Sequence, residues 1–296
     1  MIEGLIIRSL SGFYDVDTEH GRKRCRARGK FRISKLNPLV GDRVLIECVG
    51  RNEGYLMDIL PRSNCFKRPS VANVDQIVIF ASGATPVTDP FLVDRIAAIA
   101  ELKNCEPVIC INKVDLNRAD ELYSIYISAG ITSIQTSAIT GEGIDKLHNW
   151  IKGKINVFTG NSGVGKSSIL NALSPTLNLP TGTVSEKLGR GRHTTRHVEL
   201  YYLEHGTMII DTPGYSSLDA DEIEFAQKSE LQSAFREFSP YLGKCRFTDC
   251  AHIKESGCAV LAALDAEHIC RSRHQSYVRL YVQASSINKW DRNNMT

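Results

Sequence analysis

Gly160-Asn161-Ser162-Gly163-Val164-Gly165-Lys166-Ser167 fits the pattern G-x-x-x-x-G-K-[ST] at every position. No other stretch constrains the fold as strongly, because the pattern has meaning only between a buried strand and a helix. Both are predicted: residues 154–159 read as an apolar strand and residues 167–173 as a helix. The glycines let backbone N–H groups curl around phosphates, and the helix adds the positive end of its dipole. In such a loop Lys166 reaches the β- and γ-phosphates, and the Ser167 hydroxyl ligates Mg²⁺. A chance glycine-rich turn would satisfy the spacing but not its flanks.

Three further motifs stand at the ends of predicted strands. Asp211-Thr-Pro-Gly214 follows Met208-Ile-Ile210. Beside a P-loop, its acid can hold Mg²⁺ through water, and Gly214 can offer its N–H to a γ-phosphate. Asn112-Lys113-Val114-Asp115 follows the apolar run of residues 107–111. An aspartate there can accept two hydrogen bonds from the guanine edge that adenine cannot supply, and such bonds discriminate by orders of magnitude. Asn112 is expected to tie this loop to the P-loop, and the Lys113 stem to cover the base. Thr136-Ser137-Ala138 follows a third strand and suits a backbone N–H directed at guanine O6. Any one of these is weak alone. Together they predict a GTP site.

Their order is unusual. Common GTPases begin with the P-loop, whereas here N-K-V-D and T-S-A precede it. A site at the C-terminal edge of an open sheet needs its loops adjacent in space, not in sequence. The motifs therefore predict an α/β circularly permuted P-loop GTPase domain over residues 66–216. One consequence is that the chain leaving D-T-P-G runs directly into the C-terminal region.

Residues 181–197 form a polar, basic, glycine-rich stretch where switch I belongs. Thr194 or Thr195 is the expected second Mg²⁺ ligand. The residue after D-T-P-G is Tyr215, which lacks the amide with which common GTPases orient the attacking water. His193 is the candidate to replace it, titrating near neutrality beside the threonines. It reads equally well as one more exposed polar residue.

Residues 1–65 read as short strands broken by glycines, which suits a small OB-like β-barrel. The strands are expected near residues 4–8, 23–33, 42–49 and 55–60, and residues 62–70 read as a linker. Arg22, Lys23, Arg24, Arg26, Arg28, Lys30, Arg32 and Lys35 include no acid between them. Such a block is a solvated face or a phosphate-binding stripe. Strand alternation sends Arg22, Arg24, Arg26 and Arg28 to one side, the expected RNA-binding face, with Lys23 and Cys25 on the other.

Residues 217–296 read as helical, from about 221 to 238 and again from 259, around Cys245, Cys250, His252 and Cys258. Three thiols and an imidazole are a recognised structural zinc set, although the spacing is not the usual C-x₂-C. Unligated buried thiols are the other reading. Nine cysteines without a leader-like N-terminus argue against a disulfide framework, and no apolar run approaches the ~20 residues of a membrane span. A cytoplasmic protein with no membrane partner is expected.

With these residues assembled, the chain resembles the ribosome small-subunit-dependent GTPases, the RsgA/YjeQ/YloQ group of bacteria. The resemblance rests on the permuted order N-K-V-D, T-S-A, G-N-S-G-V-G-K-S, D-T-P-G, on the G-R-H-T-T stretch, and on C-x₄-C-x-H-x₅-C. It implies a monomeric GTP hydrolase that assists late assembly of the small (30S) ribosomal subunit, is stimulated by it, binds its rRNA near the decoding region and departs after hydrolysis. It also implies guanine contacts at Asn112 to Asp115, phosphate contacts at Gly160 to Ser168, and zinc at Cys245, Cys250, His252 and Cys258. An RNA-binding or RNA-chaperone module whose nucleotide site only regulates docking is the alternative. A small-molecule kinase fits poorly, since it has no need of N-K-x-D or a basic barrel.

Overall fold

The structure is a computed structural model that describes residues 1–29, 31, 36–67, 69–174, 200–203, 206–211 and 228–285. Its first unit is a closed five-stranded barrel in the order β1-β2-β3-β5-β4. The strands are β1 (Ile2–Leu10), β2 (Phe13–Thr18), β3 (Lys23–Ala27), β4 (Arg43–Cys48) and β5 (Glu53–Ile59). Parallel pairing of β3 with β5 closes it, and Ile6, Val16, Cys25, Val44, Ile46 and Leu56 fill its interior. Closure removes the exposed edges that short strands would otherwise present.

Three sequence expectations need correction here. β2 carries Asp15 and Asp17 among its aromatic and apolar residues, which hid it from a hydrophobicity reading. β3 stops at Ala27 rather than running on to residue 33. The supposed linker is packed structure: β6 (Cys65–Phe66) pairs with β7 (Val71–Ala72), and Phe66 and Val71 are buried. Arg62 closes this junction with two hydrogen bonds of 2.7 Å to the buried Asp42 carboxylate.

The second unit is a six-stranded sheet in the order β10-β9-β8-β11-β13-β12. It comprises β8 (Gln76–Ser82), β9 (Glu106–Asn112), β10 (Thr132–Gln135), β11 (Ile155–Gly160), β12 (Leu200–Tyr202) and β13 (Met208–Asp211). All pairings are parallel except that of the edge strand β12. Every residue of β8 and β11 is buried, as expected for strands covered on both faces. Helices α1 (Pro90–Leu102), α2 (Asp120–Ser128), α3 (Ile144–Ile151) and α4 (Lys166–Leu173) join the strands. Asp89 caps α1 by accepting the Phe91 N–H, and proline occupies its first turn. Helix α2 was not foreseen; its one fully buried side chain is Tyr126, so its amphipathic signal is faint.

After residue 228 the chain is helical but broken. Helix α5 (Lys228–Leu231) passes into two 3₁₀ turns, Gln232–Ala234 and Arg236–Phe238. Phe235 between them leaves the helical region, φ −110° and ψ 96°, which ends the predicted continuous helix. The rings of Phe235 and Phe238 then stack at 5.4 Å in the core, and Tyr277 meets both edge-on at 5.3 and 4.9 Å. Helices α6 (Ala259–Asp265) and α7 (Arg271–Ser285) complete this region. Among the described residues no helix is long and apolar enough to cross a membrane.

Candidate nucleotide site, metal centre and arginine face

Three described loops leave the sheet at one edge, from the C-terminal ends of β11, β9 and β10, and the parallel strand β13 ends at the same edge. The P-loop between β11 and α4 is held by close backbone approach. A Cβ on Gly160 would lie 2.7 Å from the Phe80 carbonyl oxygen, and one on Gly165, where φ is +100°, 2.3 Å from Asn112 Nδ2. Only glycine fits either position. The Lys166 ammonium lies back across this loop, donating to the carbonyls of Gly160 at 2.8 Å and Asn161 at 3.3 Å. Asn161, Ser167 and Ser168 are half-buried and Ser162 is exposed, while Val164 anchors the turn in the core.

Asn112 joins two of the loops. It is buried, its amide donates to the Val164 carbonyl at 2.9 Å, and its Oδ1 accepts the Thr136 hydroxyl at 3.4 Å. Lys113 follows at φ +65° and donates to the Thr85 carbonyl at 2.8 Å. The Val114 N–H donates to Thr136 O at 3.2 Å. The Asp115 carboxylate accepts the Ser137 hydroxyl at 2.6 Å. That same oxygen of Ser137 accepts the N–H groups of Ile139 and Thr140 at 3.3 and 3.2 Å, so one side chain organises the whole turn beside Ala138. The N-K-V-D and T-S-A loops are thereby locked together. Sequence reading assigned Ser137 only a backbone role and missed this contact, as well as the seat that the Thr85 carbonyl provides for Lys113. The first joins two motifs across 22 positions, and Thr85 sits in no motif.

Asp211 ends β13 in register with Phe158 of β11, which brings the D-T-P-G strand to the P-loop's edge. Gly214, Tyr215, His193, Thr194 and Thr195 lie outside the described residues.

The second cluster is Cys245, Cys250, His252 and Cys258, whose ligand atoms all lie within 4.8 Å of one another. Sγ of Cys245 is 3.8 Å from Sγ of Cys258, and His252 Nδ1 is 3.5 and 3.4 Å from those two sulfurs. Four ligands at about 2.0–2.3 Å in a tetrahedron leave neighbouring donor atoms roughly 3.3–3.8 Å apart. The cluster could hold a metal ion of that kind. Backbone N–H groups of Ala259 and Leu261 point at the sulfurs of Cys245 and Cys258, both at 3.4 Å, which favours thiolates. The loop is pinned from outside by Tyr277, which donates to Ala251 O, and by His274 Nε2, which donates to His252 O, each at 2.8 Å. Glu255 accepts the N–H groups of Ala251, Ile253 and Lys254. Burial pushes its carboxyl up, yet those bonds prevail and hold it at about 2.

On the barrel, Lys23 and Cys25 point inward, while Arg24 and Arg26 are exposed. Their guanidinium groups lie 4.7 and 4.6 Å from the centre of the Phe13 ring. Pairing across the strands places Phe13, Arg26, Tyr55 and Glu47 in one row. Arg28 is engaged differently, bonded to Glu47 and 5.7 Å from the Tyr55 ring. Arg22 is exposed beyond the strand.

A model of the family described as RsgA GTPase matches residues 59–221, and one described as RsgA N-terminal domain matches residues 3–56. A protein of Caldanaerobacter subterraneus subsp. tengcongensis named small ribosomal subunit biogenesis GTPase RsgA is 46% identical over 282 residues, 94% of each chain. One of the same name from Moorella thermoacetica is 44% identical over 94% of this chain and 95% of its own. Among solved structures, YjeQ from Thermotoga maritima is 33% identical with a TM-score of 0.82, covering 97% of this chain and 99% of its own. YloQ, described as a circularly permuted GTPase, is 34% identical with a TM-score of 0.79, covering 97% and 96%.

Proposed function

The chain belongs to the RsgA GTPase family, and from that premise we propose how its residues divide the work of a GTP-hydrolysing factor of small-subunit biogenesis. The observation that carries the reading is the Asn112 side chain, which bonds the P-loop carbonyl of Val164 and so joins the base-reading loop to the phosphate loop. Asp115, braced by Ser137, reads the guanine N1–H and exocyclic amine, and the Ala138 backbone meets guanine O6. Gly160 to Ser168 wrap the phosphates.

Lys166 neutralises charge that grows on the phosphoryl oxygens in the transition state. Its carbonyl contacts with Gly160 and Asn161 fit a cation kept at the loop until an anion replaces them. Ser167 and Thr195 are the residues to hold Mg²⁺, with Asp211 acting through water and Thr194 as the alternative. Held there, the ion would supply neutralisation of the phosphate charge. Gly214 senses the γ-phosphate, and His193 orients the attacking water in place of Tyr215.

The metal of the Cys₃His cluster is zinc in a structural role, since the donor set is thiolate-rich and leaves no open position. The partner is the 30S subunit. Its rRNA phosphates meet the face of Arg22, Arg24, Arg26 and Arg28, a reading supported by the outward guanidiniums of Arg24 and Arg26 over the Phe13 ring and by Tyr55 beneath Arg28. The protein acts as a cytoplasmic monomer and leaves after hydrolysis. GTP turnover measured with and without purified small subunits tests the whole. Strong stimulation supports a subunit-activated hydrolase. Equal rates with retained binding would favour an RNA-binding module whose nucleotide only regulates docking.

A further inference from the structure

The metal cluster has a neighbour that no motif contains. His252 is 3% exposed, and its two ring nitrogens face different groups. Nδ1 looks toward the sulfurs of Cys245 and Cys258, while Nε2 lies 2.8 Å from the side-chain oxygen of Gln232. A neutral imidazole that gives Nδ1 to a metal must carry its proton on Nε2. A buried N–H needs an acceptor, because one left unpaired loses its hydration with nothing in return. The Gln232 oxygen is placed to be that acceptor. His252 also stands at φ +57°, a conformation unfavourable for a residue with a side chain, so its ring is not aimed by backbone preference alone.

We propose that Gln232 is a positioning residue of the metal centre, holding the Nε2–H of His252 and thereby fixing this histidine as an Nδ1 ligand. The proposal rests on the reading of the cluster as a metal site. It also gives the centre a second attachment. Gln232 opens the first 3₁₀ turn after α5, and the buried Leu231 and Ala234 on either side belong to the core shared with α1. Through Gln232 the metal orders this segment as well as its own loop. An outer partner of this sort aligns the ring and raises its basicity, and removing it typically weakens metal binding about 10–100-fold.

The test compares the full chain with Gln232→Leu, which has no acceptor, and Gln232→Glu, which keeps one. Zinc affinity is measured by competition with a chromophoric chelator, and ligand geometry by the visible spectrum of the cobalt-substituted protein. The expected result is one metal per chain in all three, about 10–100-fold weaker binding with an altered cobalt spectrum in Gln232→Leu, and undiminished affinity in Gln232→Glu. Equal affinity of Gln232→Leu and wild type, or equal losses in both variants, would overturn the role of Gln232 while leaving the metal site standing. A wild-type chain that binds no metal would overturn the site itself, and this role with it. If Gln232→Leu does not fold, nitrogen NMR of metal-loaded wild type decides instead. A protonated Nε2 and metallated Nδ1 on His252 support the proposal, and the reverse assignment defeats it.

Discussion

Arg273 and Asp94 form an ion pair 2.8 Å long with both side chains 1% exposed, although 179 residues separate them in the chain. The same guanidinium forks onto Glu237 at 2.7 and 3.1 Å. One arginine on α7 therefore bolts the region carrying the Cys₃His cluster to helix α1. Arg236 repeats the device nearby, bonded to Glu101 and at 2.7 Å to Glu106.

Replacing Arg273 with methionine leaves two buried carboxylates without their cation. The expected loss is about 3–5 kcal/mol, because breaking one side of a buried pair strands the other charge. Lysine should rescue little, since it lacks the planar fork that bonds two carboxylates at once. Denaturant unfolding of the variants measures this, and a change below about 1 kcal/mol would mean that packing alone holds α7.

Guanine selection should fail in two distinguishable ways. Asp115→Asn should shift preference toward xanthosine triphosphate, whose base edge complements an amide. Ser137→Ala keeps the carboxylate but frees it, so GTP should bind roughly 10–100-fold more weakly, a hydrogen bond to a charged group being worth about 1.5–3 kcal/mol. Competition binding reads both outcomes. Unchanged preference in Asp115→Asn would remove this residue from the base site.

Lys166→Ala should abolish hydrolysis while the chain stays folded, because its ammonium donates to the loop carbonyls of Gly160 and Asn161, which water can satisfy in its place. Single-turnover hydrolysis alongside a thermal melt tests it. Wild-type turnover in a folded variant would refute the assignment.

His193→Ala should lower subunit-stimulated turnover far more than GTP affinity if the imidazole positions water. Equal stimulated rates in variant and wild type would reduce this histidine to an ordinary exposed polar residue.

Neutralising Arg24 and Arg26 together should weaken subunit binding and flatten its salt dependence, by roughly 0.7 in log-log slope for each lost contact to a single strand. Adding Arg28 should matter less, since Glu47 already partners it. Intrinsic hydrolysis should hardly change. Co-sedimentation at several salt concentrations gives both quantities, and a wild-type slope would show the face to be merely solvated.

Much of this protein is legible in its sequence because the decisive signals are local. G-N-S-G-V-G-K-S, N-K-V-D and T-S-A each end a strand, and a strand buried on both faces is an unbroken apolar run, as in β8 and β9. Together these specify the sheet, the permuted order and the nucleotide edge. The outward arginines of β3 follow from a period of two, and the Cys₃His cluster from residue type. Other features were decided only when distant segments met. Strand β2 is a strand because the barrel closes around it, despite Asp15 and Asp17. The predicted helix through residue 238 breaks at Phe235, whose ring is buried against Phe238 and Tyr277. Ser137 under Asp115, Gln232 against His252 and Arg273 on Asp94 pair residues 22, 20 and 179 positions apart. A buried polar group must find a partner wherever the folded chain supplies one, and sequence spacing carries no record of that choice.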